Sequence, residues 1–77
     1  MSEETWSADE LAQHVAATMD SVGIVEKVRA VEEADRTDDE TDELGRNERH
    51  IQLQMAKTQF VSGLSVDEKA KIDALKL

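Results

Sequence analysis

Seventy-seven residues and a mass of 8.6 kDa hold one small domain, and with no cysteine in the chain its fold must rest on apolar packing without disulfide staples. Eighteen acidic residues against nine Lys and Arg give a formal charge of −9, which repels phosphate and argues against direct binding to nucleic acid or to an anionic membrane. No stretch is apolar enough to span a bilayer, and the first residues lack the basic and apolar regions of a secretory signal, so a soluble intracellular protein is the expectation.

Ser7-Ala8-Asp9-Glu10 has the spacing of a capping box, in which the serine hydroxyl and the glutamate carboxylate each satisfy a backbone N–H at a helix start. Trp6 and Leu11 occupy the flanking staple positions. Leu11, Val15, Met19 and Val22 then recur at three- and four-residue steps, which predicts a first helix ended by Gly23 in a left-handed turn. Ile24, Val25, Val28 and Val31 continue at helical spacing, predicting a second helix to about Asp35. Arg29 with Glu33, and Glu32 with Arg36, are four apart and predict ion pairs worth a few tenths of a kcal/mol each, roughly, on its exposed face.

Charge divides the chain unevenly: residues 1–45 hold fourteen acids and three bases, whereas residues 46–77 hold four acids and six bases. The densest acidic run, Asp38 to Glu43, offers little to bury and predicts a linker near 37–46. A competing signal lies in the same residues. Thr37-Asp38-Asp39-Glu40 is a second possible capping box, and a helix starting there would run through Gly45 at a cost of about 1 kcal/mol.

His50 to Met55 alternates between polar and apolar residues as a short strand would, but a lone strand has no partner here, and Ala56, Lys57, Phe60 and Val61 suit a helix. As one helix, this segment places Ile51 and Met55 on one side and Leu53, Ala56 and Phe60 nearly opposite, so it is apolar over more than one face. Ser62-Gly63 punctuates the chain, and Ser65-Val66-Asp67-Glu68 repeats the capping-box spacing before a last helix with Val66, Ala70, Ile72, Leu75 and Leu77. The expected fold is all-α, a small bundle of three to four short helices forming a single domain over residues 1–77.

No reactive constellation stands out. An EF-hand loop with Gly45 at its sixth position would set Leu44 fifth and Ile51 twelfth, where side-chain oxygen ligands are required. His14 and His50 match no zinc spacing, and His14 falls on the polar side of the first helix. The chain has no Gly-x-Ser-x-Gly elbow and no phosphate-cradling glycine loop. The expectation is therefore a protein that is not an enzyme and uses no cofactor or metal. Of the two aromatic residues, Trp6 reads as a staple and Phe60 as a core side chain.

The segment Arg46-Asn47-Glu48-Arg49-His50-Ile51-Gln52-Leu53-Gln54-Met55-Ala56-Lys57, with the Leu64-Ser65 turn and Ile72-Asp73-Ala74, resembles the C-terminal part of short uncharacterised proteins of tailed bacteriophages. The likeness covers less than half the chain and carries no known activity. It implies a phage accessory or virion protein, located in a bacterial host's cytoplasm or in the particle. The preferred expectation is a small helical interaction or assembly protein whose Ile51, Leu53, Met55 and Phe60 are shared between its own core and a protein partner or a homo-oligomer. The alternative is an acidic inhibitor in which Asp38, Asp39, Glu40, Asp42 and Glu43 imitate nucleic-acid phosphates before a basic host protein.

Overall fold

A computed structural model describes residues 5–77. Every regular element in it is helical: α1 (Ala8–Arg29), a 3-10 turn (Glu33–Asp35), α2 (Asp38–Met55), α3 (Thr58–Ser62) and α4 (Val66–Ala74), with no strand among the described residues. The all-α expectation holds, and His50 to Met55 is helix.

All three capping boxes form. Glu10 N–H donates to Ser7 Oγ at 3.2 Å and Ser7 N–H to Glu10 Oε1 at 2.9 Å. The same reciprocal pair joins Thr37 with Glu40 and Ser65 with Glu68. Each box occupies two of the donors that the first turn of a helix leaves without intrahelical partners. The Ser7 backbone N–H, and after it the Ser7 hydroxyl, hold the Glu10 carboxyl below the usual carboxylate range.

Two boundaries differ from expectation. Gly23 does not end a helix; α1 runs through it for 22 residues, and nothing approaches the position a Cβ would take there. A glycine's tolerance of left-handed backbone is a permission that the chain does not use at this position. Val22 and Val25, on either side of it, are both buried, and keeping the helix continuous keeps both on one face. The helix stops at Arg29 because Arg36 folds back onto its end: Nε donates to the carbonyls of Val28 at 3.2 Å and Val31 at 3.1 Å. A cation there also opposes the negative end of the helix dipole. Arg36 is thus not paired with Glu32, nor Arg29 with Glu33. Arg29 instead reaches Glu48 on α2 at 2.7 Å and donates to the Leu75 carbonyl at the end of α4.

The second correction concerns residues 37–46, which are not a linker. The Thr37 capping box starts α2 at Asp38, three acids sit in its first turn where the dipole favours them, and the helix crosses Gly45 unbroken. That helix then ends at Met55, without proline or glycine. Phe60 lies nine residues after Ile51, and at about 100° per residue a continuous helix would point it to the opposite side. Interrupting the helix at Ala56-Lys57 and restarting it at Thr58 brings both side chains to full burial. Burying a Phe side chain is worth about 1.5–3 kcal/mol, which offsets the backbone bonds given up at the break.

Val22 and Val25 of α1, Ile51 of α2, and Ile72 and Leu75 of and just beyond α4 form the central cluster, with Met19, Leu44, Met55 and Leu64 packed around it. Thr18 and Gln54 are buried beside these aliphatics. Thr18 Oγ1 donates to the His14 carbonyl at 2.8 Å, whereas Gln54 Oε1 has no hydrogen-bond partner.

The three glycines separate helix propensity from close packing. Gly23→Ala and Gly45→Ala should each raise unfolding free energy by about 0.5–1 kcal/mol, because both sites are open mid-helix positions. Gly63→Ala should lower it, since a Cβ there would lie 2.7 Å from Leu11 Cδ2 and 3.0 Å from Leu11 Cγ. Urea unfolding of the three variants, read by helical circular dichroism, checks both signs.

Candidate interaction site

The four apolar residues singled out in the sequence separate in the structure. Ile51 and Phe60 are both 0% exposed, so neither reaches a partner without unfolding, and their place on a contact surface is withdrawn. Leu53 is 59% exposed and Met55 is half-buried. Met55 lines a hollow of about 360 Å³ between the end of α2 and α4, together with Gln52, Ala56, Ile72, Asp73 and Leu77. Leu77 forms part of its wall and is 41% exposed, whereas Leu53, two residues before Met55 and about 200° around the helix from it, projects from another face of the same end of α2. The end of α2 and the last residues of the chain thus hold one concave spot with Met55, Ala56, Ile72 and Leu77 on its walls. Sequence spacing alone set Phe60 on Leu53's side of the helix, because the helix break that turns Phe60 inward carries no glycine or proline signal.

The acidic candidates occupy the opposite end of α2. Asp38, Asp39 and Asp42 are exposed and Glu40 and Glu43 half-buried, with Glu40 engaged in the Thr37 capping box. Asp39, Glu40, Asp42, Glu43 and Arg46 line a polar dent of about 220 Å³. Glu32, Glu33 and Asp35 are exposed on the preceding connection, so eight acids crowd the turn between α1 and α2.

Trp6 and the two histidines show a contact that the sequence did not reveal. The Trp6 ring stacks on His14 with centroids 4.1 Å apart and planes 19° apart, and Lys57 Nζ lies 5.1 Å from the Trp6 ring centroid. Trp6 N–H donates to Gln59 Oε1 and Gln59 Nε2 donates to the Trp6 carbonyl, both at 2.9 Å. One amide side chain thereby acts as a two-bond clip between the start of the described chain and α3. His14 is half-buried under the indole, contrary to the exposed position its polar helix face implied. His50 Nε2 lies 3.4 Å from Thr18 Oγ1, and Ser62 Oγ donates to the Thr58 carbonyl within its own helix.

No cluster of three or more His, Cys, Asp or Glu residues is arranged to hold a metal ion among the described residues, and none of their helices is long and apolar enough to cross a membrane. In comparison with known proteins, no family model, curated protein or solved structure matches the chain.

Removing the clip should be visible from the single tryptophan. Gln59→Ala is expected to shift Trp6 emission to the red and to cost about 1–2 kcal/mol of stability for two part-buried hydrogen bonds. Fluorescence and urea titration of the variant test this; emission and stability unchanged from the parent would show that the clip does not hold Trp6.

Proposed function

We infer that this chain is a non-enzymatic helical interaction protein that docks a protein partner, or a second copy of itself, at the end of α2, through exposed Leu53 and the hollow lined by Met55 and Leu77. The observation that carries the reading is the placement of half-buried Met55 and exposed Leu77 in one concave spot, with exposed Leu53 on the same end of α2. Leu53 stands on α2 and Met55 is packed against the central cluster, so the hollow has a rigid base and little ordering cost on binding. Burying a few hundred Å² there at roughly 25 cal/mol per Å² yields several kcal/mol before association costs. The likeness of the C-terminal part to short tailed-phage proteins covers Leu53 and Met55, and it favours a phage accessory or virion-assembly setting in the host cytoplasm or the particle.

A second reading rests on the eight acids around the α1–α2 turn, six of them exposed, whose carboxylates suit a basic surface that otherwise receives nucleic-acid phosphates. Its attraction would weaken steeply with salt.

Leu53→Asp separates these readings. At an exposed position it should alter folding by no more than about 0.5 kcal/mol, yet it should weaken partner binding, or dissociate a homo-oligomer, about tenfold or more. Sedimentation of the parent and variant, alone and with a partner isolated from infected host cells, provides the measurement. The combined Asp38→Asn, Asp39→Asn, Asp42→Asn and Glu43→Gln variant should leave that binding intact. Loss of binding only in the latter variant would transfer the function to the acidic turn.

A further inference from the structure

A second concave surface lies along α1, the longest helix. Ala8, Ala12 and Ala16 repeat every four residues along α1 and are all exposed, with Leu11 and Met19 half-buried alongside them. Together with Gly63 and Glu68 across from α1, they line a groove of about 460 Å³. From Ala8 to Met19 the groove follows α1 for about 16 Å, or three helical turns. A row of methyl side chains lets the axis of a second helix approach to about 8 Å. Gly63 keeps the far wall at its present distance, since any side chain there meets Leu11.

The charge around this groove selects its occupant. Glu68 is the one charged residue among the described residues that line it, and no Lys or Arg lies among them. On α1, Asp9 stands three residues before Ala12 and Asp20 four residues after Ala16, so helical register puts both exposed carboxylates beside the alanine row. A second copy of the chain is a poor fit. Both molecules would carry −9, and an antiparallel pairing across Ala12 and Ala16 would bring Asp9 of one against Asp20 of the other. Phosphate-rich surfaces meet the same repulsion. A helix with an apolar stripe flanked by lysines or arginines satisfies both the groove and its rim.

We propose that the α1 groove binds a basic amphipathic helix of a partner protein. This site shares no lining residue with the hollow of Met55 and Leu77, and with both occupied the chain bridges two proteins.

The test uses the full chain and three synthetic peptides of about 14 residues, long enough to cover three turns. All carry the same Leu/Ala stripe, and their polar face is Lys, Gln or Glu. In amide-resolved NMR titrations, the Lys peptide should perturb Ala12, Ala16 and Gly63, and raising salt from about 50 mM to about 300 mM should weaken it about tenfold. The Gln peptide should bind more weakly at the same residues, and the Glu peptide should not bind. Ala12→Leu, which fills the groove with a good helix former, should abolish binding while leaving the circular dichroism unchanged. Asp9→Asn, Asp20→Asn and Glu68→Gln together should remove the preference for Lys over Gln; glutamine at 68 retains the capping-box geometry. Leu53→Asp should leave the titration unaltered, so loss at the end of α2 and loss at the groove are distinguishable.

Three results would overturn the proposal: Lys-peptide shifts confined to the Asp38–Glu43 turn, equal binding of all three peptides, or parent dimers that dissociate on Ala12→Leu.

Discussion

The fold hangs on the meeting of three helices at a few aliphatic side chains. Val22 and Val25 on α1, Ile51 on α2 and Ile72 with Leu75 at α4 close a cluster with almost no contribution from aromatic residues. A core of this size gives little stability to spare. The rest of the chain is organised to protect it: three capping boxes set where helices start, Arg36 ends α1, and Arg29 ties α1 to both α2 and the last turn of α4. The helix interruption after Met55 serves the same end, since it lets the one phenylalanine reach full burial.

Local punctuation was legible in the residues, whereas long-range choices were not. Ser7, Thr37 and Ser65 each announced a helix start through a glutamate three positions later, because the capping box closes within four residues and depends on little else. Gly23 misled for the opposite reason: a glycine weakens a helix by only about 1 kcal/mol, and the burial of Val22 and Val25 around it exceeds that. The acidic run resembled a linker because it has nothing to bury, yet its charges suit the positive start of α2. Arg29 and Arg36 had plausible partners four residues away, but carbonyls and carboxylates brought close by the tertiary fold displaced them.

The same limit applies to the candidate sites. Spacing set Leu53 opposite Ile51 and Met55 correctly but put Phe60 with Leu53, and only the break between α2 and α3 brings Phe60 to burial. The α1 groove was hidden because alanine carries little hydrophobic signal of its own; it becomes a surface feature through the approach of Gly63 and Glu68 from a distant part of the chain. What such a small protein presents to others therefore follows from how its helices are placed, with chemically ordinary side chains supplying the contact.

The two clasps that join distant parts of the chain have a kinetic meaning. Trp6 and Gln59 are separated by 53 positions and Arg29 and Leu75 by 46, while the capping boxes span three. Helical turns of this kind form in well under a millisecond, whereas joining such remote partners requires most of the polypeptide to be arranged beforehand. The extremities are consequently the last parts to dock and the first to release, so proteolytic nicking and hydrogen exchange should begin there while the central helices remain intact.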